Sequence, residues 1–149
     1  MAAQQSSTRA RQRARELLVK ALYQWQIAGH GLAELDRQFS EDPDFARIDQ
    51  LYFRELLAVV LDDVQALDIL ISRQAVRSIE QLDAVGRAIL LLALAELKRR
   101  QDVPTKVIIN EAVELAKRYG ATDSFRFVNA VLDKSSRELR SSSTPGAAQ

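Results

Sequence analysis

Every residue from Ala88 to Ala95 is apolar, and on a helix turning about 100° per residue such a run leaves no polar face. A helix of this kind is buried all round. The run is far shorter than the roughly 20 apolar residues of a membrane span, and Lys98-Arg99-Arg100 follow it, so other helices of the chain must cover it. Asp83 is placed to cap its start and the three basic residues suit the negative end of its dipole. The pattern predicts a central helix over 83–100.

On either side, apolar positions recur at helical spacing. Leu17, Leu18, Ala21, Leu22, Trp25 and Ala28 make one stripe, ended by Gly29-His30-Gly31. Leu32, Leu35 and Phe39 support two turns, and a loop is expected through Ser40-Glu41-Asp42-Pro43-Asp44. Phe53, Leu56, Leu57, Val60, Val64, Leu67 and Ile71 keep the period long enough to predict one helix over 49–72. Residues 78–82 allow a single turn. Pro104 opens the next helix, at a position needing no backbone donor, and Gly120 is expected to end it in the left-handed conformation. Thr122, Asp123 or Ser124 caps the last helix, whose stripe is Phe125, Val128, Val131, Leu132, Ser135 and Leu139. Strand alternation is absent, so the expected class is all-α with about seven helices.

Length and composition, 149 residues with 47% hydrophobic, suit a single domain over 9–140. The polar segments 1–8 and 141–149 are expected to be disordered tails. With no Cys there is no disulfide, thiolate metal site or cysteine nucleophile, and His30 between two glycines reads as a solvated loop residue. No apolar signal region follows the start, and the Arg-rich opening runs into a core-forming helix, which fits a cytoplasmic protein.

The net charge of +1 conceals an uneven distribution. Residues 1–15 carry four Arg and no acid, residues 31–70 carry ten acids against three Arg, and residues 98–140 carry ten basic residues against six acids. An acidic middle repels nucleic acid while both chain ends attract it. A helical wheel turns Arg9, Arg13, Lys20 and Tyr23 away from the first stripe, with Arg15 on its flank. Guanidinium groups pair with phosphate and an outward ring stacks on an unpaired base. Phe127 lies off the last stripe, near Arg126 and Lys134, where packing against a neighbouring helix and stacking both remain open. Enzyme signatures are missing: no phosphate loop, HExxH, GxSxG or CxxC occurs. Glu111 and Glu114, beside Lys106, Lys117 and Arg118, read as surface ion pairs and not as an acid/base couple. No metal or cofactor is implied.

Four segments carry more than periodicity. Ala21-Leu22-Tyr23-Gln24-Trp25-Gln26, Leu51-Tyr52-Phe53-Arg54-Glu55-Leu56-Leu57, the run from Val103-Pro104-Thr105-Lys106 through Asn110-Glu111-Ala112 to Lys117, and Phe127-Val128-Asn129-Ala130-Val131-Leu132-Asp133-Lys134 resemble the bacterial NusB family of transcription antitermination factors. The resemblance runs from about Arg11 to Arg140. It implies two small helical bundles set across one another, and binding to the boxA RNA of ribosomal RNA operon leaders as a heterodimer with NusE, the ribosomal small-subunit protein. It also implies a place in the RNA polymerase antitermination complex. By position, Arg11, Arg13, Arg15, Tyr23, Tyr119, Asp123, Arg126 and Phe127 resemble the family's RNA-facing surface, with Asp123 either accepting from a base edge or restraining affinity. The family often has an unbroken Arg run where this chain has Arg11-Gln12-Arg13. Glu80 would face NusE, and Gly86 stands where a relative can carry a second acid. The free protein could be a monomer or a homodimer. Two other readings are the RNA-binding domain of an RNA cytosine methyltransferase, against which the chain length argues, and a helical scaffold that binds no RNA.

Overall fold

The computed structural model describes residues 2–74 and 82–140. Among the described residues there are α-helices and one 3-10 helix but no strand, the all-α class expected. None of the described helices is long and apolar enough to cross a membrane. Two compact units divide the chain, one ending at Asp62 and the other starting at Asp63.

The first unit holds α1 (Ala2–Ala28), α2 (Leu32–Ser40), a 3-10 helix (Pro43–Arg47) and α3 (Gln50–Asp62). The backbone of α1 begins at Ala2, ahead of the start expected at Arg9. Leu17, Leu18, Ala21 and Leu22 are buried as the stripe requires, Trp25 is half-buried and Ala28 is exposed. Gly29, at φ 74, takes the left-handed turn that ends α1, and its N–H donates to the Trp25 carbonyl at 2.9 Å. His30 is less solvated than expected, because its Nδ1 lies 3.2 Å from the amide nitrogen of Gln24. Where a loop was expected, Asp42 accepts from the Asp44 N–H at 2.8 Å and Pro43 opens the 3-10 turn. That turn buries Phe45 edge-on against Phe53, with ring centroids 5.7 Å apart, and Phe39 reaches the same ring from α2 at 6.0 Å.

The helix predicted over 49–72 is two helices. Asp63 breaks it: its carbonyl accepts from the Leu67 N–H at 3.0 Å and so starts α4 (Val64–Gln74), while its carboxylate accepts from Lys98 Nζ at 2.6 Å. A polar residue can thus interrupt a helix without disturbing the apolar period on either side of it. The turn expected over 78–82 lies, apart from Leu82, outside the described residues.

In the second unit α4 is followed by α5 (Ala84–Arg99), α6 (Thr105–Tyr119) and α7 (Ser124–Arg140). Helix α5 is the buried core helix: every residue from Ala88 to Leu97 is buried, with α4, α6 and α7 packed around it. Asp83 caps it as expected, accepting from the Gly86 N–H at 2.7 Å. Its other end carries Lys98 and Arg99 in the last turn and Arg100 as its cap, as expected, and a further residue joins them. Lys98 goes to Asp63 and Arg100 to Asp102, and the guanidinium of Arg140 donates to the carbonyls of Glu96, Leu97 and Arg100 at 3.3, 3.1 and 2.9 Å. The same group also donates to the Val103 carbonyl at 2.7 Å and to Thr105 Oγ1 at 3.0 Å. Arg140 thus shares the helix's end with the Arg100 N–H on Glu96 and the Gln101 amide on Leu97 and Lys98, and ties that end to the turn that follows.

Candidate RNA-binding surface

The α1 residues separate into two sets. Arg9, Arg13 and Lys20 are exposed and, among the described residues, have no ion-pair partner; Tyr23, on the same stripe, is 41% exposed. A row of cations ending in an accessible ring follows from positions 9, 13, 20 and 23 sharing one side of a helix. Arg11 and Arg15 turn the other way. The Arg11 guanidinium lies 4.2 Å from the centroid of the Tyr52 ring and 3.4 Å from an Asp49 carboxylate oxygen; Arg15, only 3% exposed, lies 5.6 Å from the same ring. Asp49 is itself fixed, because its other oxygen accepts from the Tyr52 N–H at 3.1 Å as the cap of α3, and its own N–H donates to the Ala10 carbonyl. Of the Arg residues matched to the RNA-facing surface, Arg13 is therefore open to a ligand, Arg11 is partly open and Arg15 is buried against a ring. The wheel shows sides of α1, but not that Tyr52 from α3 draws in the two Arg spaced four apart.

In the second unit the relevant residues lie where α6 turns into α7. Tyr119 is 42% exposed, with the Arg118 guanidinium 5.8 Å from its ring centroid. Gly120 follows with φ −84, not the left-handed value expected. A side chain there is barred by space: a Cβ would stand 2.4 Å from Ser124 Oγ and 2.7 Å from the Ala116 carbonyl oxygen. The left-handed residue is instead Asp123, at φ 64, a conformation that Asp tolerates better than most. Its exposed carboxylate lies 3.6 Å from the Arg126 guanidinium. Phe127 is half-buried, between the packed and the stacking alternatives. Phe125, expected in the buried stripe, is half-buried too, and two cations approach its ring. Glu114 pairs with Lys117 at 3.6 Å, as the surface-ion-pair reading expects. Glu80 lies outside the described residues.

Fold and surface together define an all-helical protein that carries cations beside aromatic rings on helix flanks. Its comparisons with known proteins narrow the class. Residues 12–137 match the NusB family profile. The chain is 49% identical to the transcription antitermination protein NusB of Alcanivorax borkumensis, over 91% of this chain and 90% of the relative. It is 50% identical to the protein of that name from Escherichia coli, over 88% and 94%. A solved structure of Thermotoga maritima NusB superposes with a TM-score of 0.71 at 32% identity, covering 85% of this chain and 90% of that one. The chain belongs to the NusB family, whose named members here are transcription antitermination proteins and not enzymes.

Proposed function

We propose that this chain is a cytoplasmic transcription antitermination factor that binds single-stranded boxA RNA together with NusE and delivers it to elongating RNA polymerase. The observation that carries this reading is the exposed row Arg9, Arg13, Lys20 and Tyr23 on α1, whose cations have no carboxylate partner among the described residues. Cations without a partner suit a polyanion, and an accessible ring beside them suits unstacked bases. In the second unit, Tyr119, Arg126 and Phe127 on α6 and α7 are the proposed contacts. Asp123, 3.6 Å from Arg126, competes with phosphate for that guanidinium and so restrains affinity. Arg11 contributes the part of its side chain that stays open, while Arg15 acts from behind by holding Tyr52. Glu80 is the proposed contact to NusE.

Competition binding with labelled boxA RNA tests this. Unlabelled boxA should displace the label at lower concentration than a scrambled strand of equal length, and NusE should widen the gap. Equal displacement by both strands, with or without NusE, would favour a scaffold acting through protein contacts alone.

A further inference from the structure

The turn between α6 and α7 holds a cluster of which the family resemblance singles out Arg126 alone, leaving Lys117 and Phe125 without a role. Lys117 Nζ, from the last turn of α6, lies 5.1 Å from the centroid of the Phe125 ring, and the guanidinium carbon of Arg126, from the first turn of α7, lies 5.4 Å from it. Two like charges from two helices are thus gathered on one aromatic ring. They repel each other, and the negative faces of the ring offset part of that repulsion. Each has a loose acidic neighbour, Glu114 for Lys117 and Asp123 for Arg126, both at 3.6 Å, and all four side chains are at least half exposed. Exposed pairs of this length contribute little and exchange readily for another anion.

Resting on the RNA-binding reading above, we propose that Phe125 is a positioning residue that gathers Lys117 and Arg126 into a two-cation grip for the RNA phosphate backbone. Lys117 then touches the RNA directly, and the Phe125 ring acts through the cations it holds. The grip is independent of sequence, so it adds affinity to every strand alike and leaves discrimination to the bases.

The salt dependence of boxA RNA affinity tests this for the wild type, Lys117→Ala, Phe125→Leu and Phe125→Tyr. Lys117→Ala should weaken binding about threefold to tenfold, lower the log–log salt slope by about 0.7, and weaken boxA and scrambled RNA equally. Phe125→Leu should weaken binding in the same direction, and Phe125→Tyr, which keeps a ring, should restore it. If Phe125→Leu melts early, Lys117 decides alone, since its exposed side chain can be removed without disturbing the core. Wild-type binding with an unchanged Lys117→Ala slope would overturn the grip and spare the functional reading. Failure of Phe125→Tyr to exceed Phe125→Leu would overturn the part given to the ring, and no binding by the wild type would overturn both.

Discussion

Two positions separate Arg13 from Arg15, and the helix rotation between them, about 200°, takes one into solvent and the other over Tyr52. The same residue type therefore answers to different tests. Arg13→Ala should weaken boxA RNA binding and flatten its salt dependence with an unchanged melting temperature. Arg15→Ala should lower stability by about 2 kcal/mol, read by thermal or denaturant unfolding, because its stem and its contact with Tyr52 are both buried. In the sequence both belong to one Arg-rich stretch. What tells them apart is an aromatic residue 37 positions beyond Arg15 that no local wheel includes. Gly120 teaches the same lesson at a turn: a glycine after a helix predicts a left-handed residue, but here it answers to the crowding of Ala116 and Ser124, and the positive φ falls three residues later.

At the scale of the element, the start of α5 was legible and its end only in part. Asp83 caps Gly86 within three residues, so a local pattern suffices. At the far end Lys98 and Arg99 stand in the last turn as expected and the Arg100 N–H caps Glu96, but Arg140, from the end of α7, adds donors that no local pattern shows. Proximity in sequence favoured the basic run. Only the packing of α7 on α5 brings Arg140 to those carbonyls. Arg140→Ala should cost about 1 to 3 kcal/mol in denaturant unfolding, since the Val103 carbonyl loses its donor while the carbonyls of Glu96, Leu97 and Arg100 keep the N–H of Arg100, the amide of Gln101 and the N–H of Val103. Arg140→Lys should recover little of this, because one ammonium group cannot reach five acceptors spread over such a turn. The break at Asp63 was hidden for a related reason: apolar spacing runs on through it, and the Lys98 that holds its carboxylate is 35 positions away, so α3 and α4 read as one.

For the molecule as a whole, periodicity gave the all-helical class and the buried core helix, and motif resemblance gave the family. The candidate surface was legible as a charge distribution, with its ends basic and its middle acidic. A net charge of +1 gives little long-range attraction, so binding should lean on local phosphate contacts. With five such contacts on a single strand, from Arg9, Arg13, Lys20, Lys117 and Arg126, boxA RNA affinity should fall about a hundredfold between 50 and 200 mM salt. A flat salt response, measured by titration at fixed temperature, would point to a surface dominated by stacking.

The left-handed backbone at Asp123 narrows what evolution or an engineer can write there. Of the twenty residues, Asn and Gly fit that conformation with little strain, and both are neutral. A lineage that retunes its grip on a transcript at this spot has in effect one dial, which erases a negative charge. Lys or Arg, the obvious way to strengthen it further, would carry about 1 to 2 kcal/mol of backbone strain there.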